Sequence, residues 1–257
     1  MESARKFCIS IAGFDSTGGA GILADIKTME QTGVSGLAVC TAITYQNENR
    51  IEKIDWLSTD QVIHQLKILF ETYHPIVVKI GIVRDAEMLE SIIDFLISKN
   101  NKTAIIWDPV IKSTSGFDFH SVKIDWLSSL KNIFLITPNI AEVKMLTGIN
   151  DDGRAALYLS KYCQVLLKGG HSLTDRSDDL LFVNENIIAI KGEKFQHAKH
   201  GTGCVLSSSI AANLVLGFNL AESCHRAKEY VTQFILSDDG LLGWHHTFRN
   251  KNYEHEL

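Results

Sequence analysis

The chain lacks the marks of several large functional classes. Its Lys and Arg residues are scattered, with no run of five, and the formal net charge is −5. A nucleic-acid-binding surface would ordinarily show as a basic patch. The five cysteines, Cys8, Cys40, Cys163, Cys204 and Cys224, are odd in number and never fall as CxxC. Neither a zinc site nor a disulfide framework is indicated, and a reducing cytoplasm is the expected compartment. No apolar stretch has the length that crosses a bilayer. The run 7–12 is interrupted by Ser10 and closed by Gly13, too short for a secretion signal. Ser/Pro-rich linkers and internal repeats are missing as well, so residues 1–257 are read as one domain.

What is present is an alternation of strand, glycine turn and helix. Apolar runs at 6–12, 37–45, 76–80, 103–107, 133–136 and 165–167 read as buried strands, covered by helices on both faces. Helical spacing appears at 22–31, 61–73, 85–98, 141–146, 203–216 and 221–236, with Gly33 as a C-terminal stop for the first. Residues 180–183 and 187–190, joined by 184–186, read as a hairpin. The order predicts an α/β domain with a mostly parallel sheet, whose ligands bind at the carboxyl ends of the strands.

Candidate site residues cluster at those ends. The loop 13–21 follows a strand and opens a helix, the context of an anion cradle, yet it lacks the lysine of a Walker loop and the full dinucleotide fingerprint. A packing turn explains it equally well. Asp25, one turn into an apolar helix, either faces solvent or hydrogen-bonds a polar heterocycle. Gly201, Thr202, Gly203 and Cys204 open a helix with bare backbone, where several N–H groups can converge on an anion. The helix dipole there is expected to lower the Cys204 pKa, so that a thiolate could act as a general base. A glycine turn followed by a packed cysteine is the alternative. Asp108 ends a buried strand, and Asn139 with Glu142 ends another, placed for Mg²⁺ ligation or simply for a capping box. Lys168, followed by two glycines, offers a cation at the same edge.

These pieces occur in an order that resembles the ribokinase-like superfamily, and within it the hydroxymethylpyrimidine/phosphomethylpyrimidine kinases of thiamine biosynthesis. The resemblance runs through Gly13 and Ser16 to Gly21, Asp25, Tyr45-Gln46-Asn47, Lys79-Ile80-Gly81, Asp108-Pro109-Val110, residues 112–116, Thr137-Pro138-Asn139 with Glu142, and Lys168-Gly169-Gly170-His171. It continues through Asp179-Leu180 and His200-Gly201-Thr202-Gly203-Cys204. It implies a three-layer αβα fold, ATP and Mg²⁺, a homodimer, and no nucleic-acid or membrane partner. It also implies phosphorylation of the hydroxymethyl group of 4-amino-5-hydroxymethyl-2-methylpyrimidine and of its monophosphate.

By the same resemblance Gly13, Ala20, Asp25, Gln46 and Val83 would line the pyrimidine pocket, with Asp25 and Gln46 bonding the ring and its amino group. Gly201 to Cys204 would form the anion hole, with Cys204 as base. Asp108 and Glu142 would organise Mg²⁺, and Thr137, Asn139 and Lys168 would approach the nucleotide phosphates. Thr17, Phe14, Val83 and the closing Gly243-Trp244-His245-His246 depart from the family's pattern and leave the acceptor open. A pyridoxal or pyridoxine kinase is one alternative; a catalytically silent pyrimidine-binding protein is another.

Overall fold

Alternate residues of each central strand point to opposite hydrophobic layers. Ile9 and Ile11 of β1 (Phe7–Asp15), Val78 and Ile80 of β4 (Val77–Ile80), and Ile105 and Trp107 of β5 (Ala104–Trp107) enter one core. Ile136 of β6 (Leu135–Ile136) and Val165 and Leu167 of β7 (Gln164–Leu167) join them. Their neighbours Cys8, Val77, Ile106, Leu135 and Leu166 enter the other. A strand with two buried faces is apolar on both, which is why these segments read as near-continuous apolar runs, with Ser10 and Lys79 as buried polar exceptions in β1 and β4.

The first core is closed by α2 (Thr59–Phe70), α3 (Ala86–Lys99), α4 (Leu127–Leu130), α5 (Ile140–Thr147) and α6 (Asp152–Leu159). The second is closed by α1 (Gly21–Thr32), α7 (Thr202–Leu216) and α8 (Leu220–Leu236). The computed structural model, which describes residues 5–111, 119, 126–169, 177–183, 186–195 and 199–245, is therefore a three-layer αβα fold, as expected.

The remaining strands are β2 (Ser35–Gln46), β3 (Ile51–Trp56), β8 (Asp179–Val183) and β9 (Asn186–Ile190). The sheet order is β3-β2-β1-β4-β5-β6-β7-β8-β9. Strands β2, β1 and β4 to β7 are parallel, while β3 pairs antiparallel with β2, β8 with β7 and β9 with β8. From β1 the chain first moves one way to β2 and β3, then returns to add β4 on the other side. The crevice above β1 and β4 is thus a topological switch point.

Several sequence expectations needed adjustment. The first strand continues to Asp15, so Gly13 lies within β1, at a register shift after Ala12, rather than in the loop. Helix α2 begins earlier than expected because Ser58 and Gln61 form a capping box. Strand β3 and helices α4 and α6 are not predicted by the sequence patterns. The sequence of β3 is dense in charge, and Gly153 in the first turn of α6 hides a helix that Asp151 caps. Residues 112–116, Gly170, His171, Asn184, Glu185 and His246 lie outside the described residues. Among the described residues no helix is long and apolar enough to cross a membrane.

Gly33 closes α1 in the left-handed region, at φ 91°. There is open space where its side chain would stand, so only backbone strain opposes a larger residue. Gly33→Ala is expected to cost about 1–2 kcal/mol in urea unfolding, with activity retained.

Candidate active site

The carboxyl ends of the parallel strands, the loop after β1 and the start of α7 enclose a cleft of about 240 Å³. Its centre is built on three strand ends. Asp108 follows β5, Asn139 and Glu142 follow β6, and Lys168 follows β7. Asp108 is fully buried; it accepts from Lys168 Nζ (2.8 Å), Thr137 Oγ1 (3.2 Å) and Ser207 Oγ (3.3 Å). Burial opposes its charge, but Lys168 and then Lys79 hold the carboxyl below its usual range. Lys168 also lies 3.7 Å from Glu142. Burial lifts the Glu142 carboxyl to about 7, Lys168 opposing and Asp108 adding. Asn139 and Glu142 do form the capping box, Asn139 N donating to Glu142 Oε2 at 2.7 Å. Both still border the cleft.

Helix α7 delivers its N-terminus to this cluster. Gly201 is its N-cap, at φ 77°. A Cβ there would collide with the carbonyl oxygen of Gly19, so the two glycine segments meet backbone to backbone. The first intrahelical bond is Val205 N to Gly201 O, which leaves the amides of Thr202, Gly203 and Cys204 ahead of it without helical acceptors. No acid occupies the first turn. A Cβ on Gly203 would lie 3.3 Å from Lys168 Nζ and 3.5 Å from Asp108 Oδ2. Bare amides, the positive helix end and an ammonium therefore converge on one volume, a geometry suited to transferring an anion.

Below this volume lies an ion pair not singled out from the sequence. Lys79 of β4 and Asp25 of α1 pair at 2.7 Å, both side chains with 0% exposure. Asp25 accepts two further bonds of 2.5 Å, from Ser10 Oγ and Ser208 Oγ. Asp25 is thus neither solvent-facing nor a lining residue; both its oxygens are engaged under the floor. Lys79 borders the cleft and remains cationic: burial opposes the charge, but Asp25, then Cys204 and Asp108, raise its pKa. Its sequence signal was a lysine inside an apolar strand.

The cysteine at the helix start departs from expectation. Burial pushes the Cys204 thiol up to about 11, with Lys79 and a backbone bond from Gly21 pulling the other way and Asp25 and Asp108 pushing further. The helix end does favour a thiolate, but enclosure outweighs it, so the resting thiol is protonated.

The two ends of the cleft differ in chemistry. One is bordered by Gly13, Asp15, Ala20, Gly21, Gln46 and His200. The other has Leu206, Val231 and Ile235 as an apolar wall, with Lys228 donating to Ser177 O (2.6 Å) and Asp179 Oδ2 (2.9 Å). Asp179 also receives Gly169 N at 2.8 Å, holding the turn after Lys168. One more residue expected to line the pyrimidine pocket, and one expected to approach the phosphates, do not border the cleft. Val83 is packed in the core beneath α3, and Thr137 is fully buried against Asp108. Among the described residues no three His, Cys, Asp or Glu side chains form a ready metal cluster. Asp108 and Glu142 offer two carboxylates beside an anion-binding volume, which fits Mg²⁺, an ion that takes few protein ligands and completes its shell with phosphate and water.

The family model for phosphomethylpyrimidine kinase matches residues 15–247. The chain belongs to that family. A hydroxymethylpyrimidine/phosphomethylpyrimidine kinase of Aquifex aeolicus is 36% identical over 244 residues, covering 91% of this chain and 95% of its own length. The crystal structure of a Clostridium difficile phosphomethylpyrimidine kinase, 32% identical, superposes with a TM-score of 0.75 over 89% of this chain and 99% of that one. A Staphylococcus aureus pyridoxal kinase in complex with AMP-PCP and pyridoxal is 25% identical, with a TM-score of 0.80 over 91% and 89%. The fold is the ribokinase-like one these kinases share, and a nucleotide analogue is accommodated by that neighbour.

The buried pair gives a stability prediction. Lys79→Met or Asp25→Leu alone strands a charge and is expected to cost about 3–5 kcal/mol in denaturant unfolding. The double variant should lose less than the sum of the two. Additive losses would mean the pair does not interact as drawn.

Proposed function

We propose that this protein phosphorylates the hydroxymethyl group of 4-amino-5-hydroxymethyl-2-methylpyrimidine, and then its monophosphate, using ATP, as a kinase of thiamine biosynthesis. The observation that carries the reading is the meeting of the α7 N-terminus with Asp108, Lys168 and Lys79 in one cleft. Family membership supports the same activity.

In this reading the nucleotide lies at the Leu206, Val231, Ile235 end, with Asn139 and Lys168 reaching its phosphates. The pyrimidine lies at the Gly13, Ala20, Gln46 end. The acceptor oxygen attacks the terminal phosphorus; the new O–P bond forms as the bond to the leaving diphosphate oxygen breaks. The amides of Thr202, Gly203 and Cys204, with Lys168 and Lys79, stabilise the charge spread over the transferring oxygens. Bound Mg²⁺ would add positive charge to the phosphates, and Asp108 and Glu142 are the residues that would hold it. A cytoplasmic homodimer remains part of the proposal, on the family resemblance.

Cys204 is proposed as the acceptor of the hydroxyl proton. Because its thiol sits at about 11, the basic form is the minor one at neutral pH and grows as pH rises. For a thiolate base kcat/KM should climb about tenfold per pH unit through the range below that value. Cys204→Ser should lower kcat far more than it raises KM and should flatten the climb. Near-wild-type turnover in that variant would leave catalysis to the amides and lysines.

The acceptor is tested by steady-state kinetics with ATP and both alcohols. The pyrimidine should be preferred over pyridoxal. A kcat/KM tenfold or more in favour of pyridoxal would assign the chain to the activity named for the Staphylococcus neighbour.

A further inference from the structure

The apolar end of the cleft carries an ion pair that the transfer chemistry above does not use. Asp179, the first residue of β8 and 1% exposed, divides its carboxylate between two elements. Its Oδ1 accepts from Gly169 N at 2.8 Å, in the turn after Lys168, and its Oδ2 accepts from Lys228 Nζ of α8 at 2.9 Å. Lys228 donates as well to Ser177 O at 2.6 Å. On α8, Lys228, Val231 and Ile235 follow at steps of three and four and so share one face, and all three border the cleft.

Lys168 is held on both sides along its backbone. Its own N–H donates to Pro138 O at 2.9 Å, beside the Asn139–Lys168 bridge, which ties it to the segment bearing Asn139 and Glu142. One residue on, Asp179 takes the Gly169 N–H, a buried bond to a charged acceptor and so of the stronger kind. A Cβ on Gly169 would stand 1.9 Å from Asp178 O, so this turn and the start of β8 meet backbone to backbone. The buried carboxylate is compensated by Lys228, and removing either partner would strand the other.

We infer that Asp179 is a positioning residue for phosphoryl transfer: through Gly169 it fixes the backbone of Lys168, and through Lys228 it ties that backbone to the helix face bearing Val231 and Ile235. The inference rests on the nucleotide placement proposed above, along Val231 and Ile235 with the phosphates at Lys168. One carboxylate then sets the spacing between the apolar wall and the phosphate-facing ammonium. Loss of that spacing should weaken what the phosphates contribute to binding and transfer, and leave the apolar wall itself able to hold a nucleoside.

The test is calorimetric binding of adenosine and of AMP-PCP, the latter with Mg²⁺. Wild type should bind AMP-PCP more tightly, and the ratio of the two Kd values measures the contribution of the phosphates. In Asp179→Ala that ratio should shrink by about tenfold, with adenosine affinity within about twofold of wild type. Turnover should follow it, kcat falling and KM for ATP rising while KM for the acceptor alcohol stays near wild type. Asp179→Asn, which keeps an acceptor for Gly169 N–H, should retain more of the ratio than the alanine variant. An unchanged ratio in a folded Asp179→Ala overturns the inference and leaves the kinase reading in place. Equal losses for adenosine and AMP-PCP overturn it too, since they mark a displaced α8 rather than a misplaced Lys168. Wild type that binds neither compound removes the nucleotide placement and this inference with it.

Should Asp179→Ala not fold, Lys228→Met carries the same comparison, because it breaks the tie on the α8 side and leaves the Asp179 carboxylate free to turn. Its ratio should shrink by about threefold or more. A ratio equal to that of wild type overturns the inference.

Discussion

A lysine and an aspartate that have left water entirely can persist only where each is the other's partner and the remaining lone pairs are filled. Lys79 and Asp25 meet both conditions, with Ser10 and Ser208 completing the carboxylate. The four residues come from β4, α1, β1 and α7, so one polar knot ties two neighbouring strands to two helices directly beneath the switch-point crevice. Apolar packing of α7 on the sheet is joined here by directional bonds. The knot sets its register. Because α7 is the helix whose N-terminus faces the cleft, the alignment of Thr202, Gly203 and Cys204 with Asp108 and Lys168 depends on it.

A second constraint acts from above. Gly19 and Gly201 approach so closely that neither the left-handed backbone at Gly201 nor the contact itself tolerates a side chain. Asp15 spans the same junction through His200, and Lys199 is anchored on the carbonyls of Asp238 and Gly240. Loop, helix start and the segment after α8 are thus held as one wall. Glycines that read as a possible phosphate loop are here used for close approach, while the anion-binding amides belong to the later helix.

How much of this could be read from the chain follows from the range of each interaction. Buried strands, the Asn139–Glu142 box and the glycine-opened α7 are local, and their patterns were visible. The strand-end rule then brought Asp108, Asn139, Glu142 and Lys168 to one edge, and the structure gathers them. What local reasoning could not supply was pairing across the fold. Asp25 reads as a surface or ligand residue until Lys79, 54 positions away, and Ser208, 183 positions away, are placed against it. The Cys204 thiol shows the same limit: the helix end that lowers its pKa is local, and the enclosure that raises it is not.

The charges at the centre of the cleft have a consequence for order of events. Lys168 lies between Asp108, held ionised, and Glu142, lifted toward neutrality by burial and by its neighbour's charge. The lysine cannot fully satisfy two buried carboxylates, and the second is poised to keep or lose its proton near pH 7. An added cation would shift that balance, stabilising both carboxylates as anions and loosening Lys168 from Asp108. Lys168 is committed mainly to Asp108, at 2.8 Å against 3.7 Å to Glu142. In the proposed function Asp108 and Glu142 would be the pair that holds Mg²⁺, and Lys168 would turn to the nucleotide phosphates. The nucleotide would thereby complete the phosphoryl-transfer arrangement, above a Lys79–Asp25 pair whose hydrogen bonds are already made within the protein.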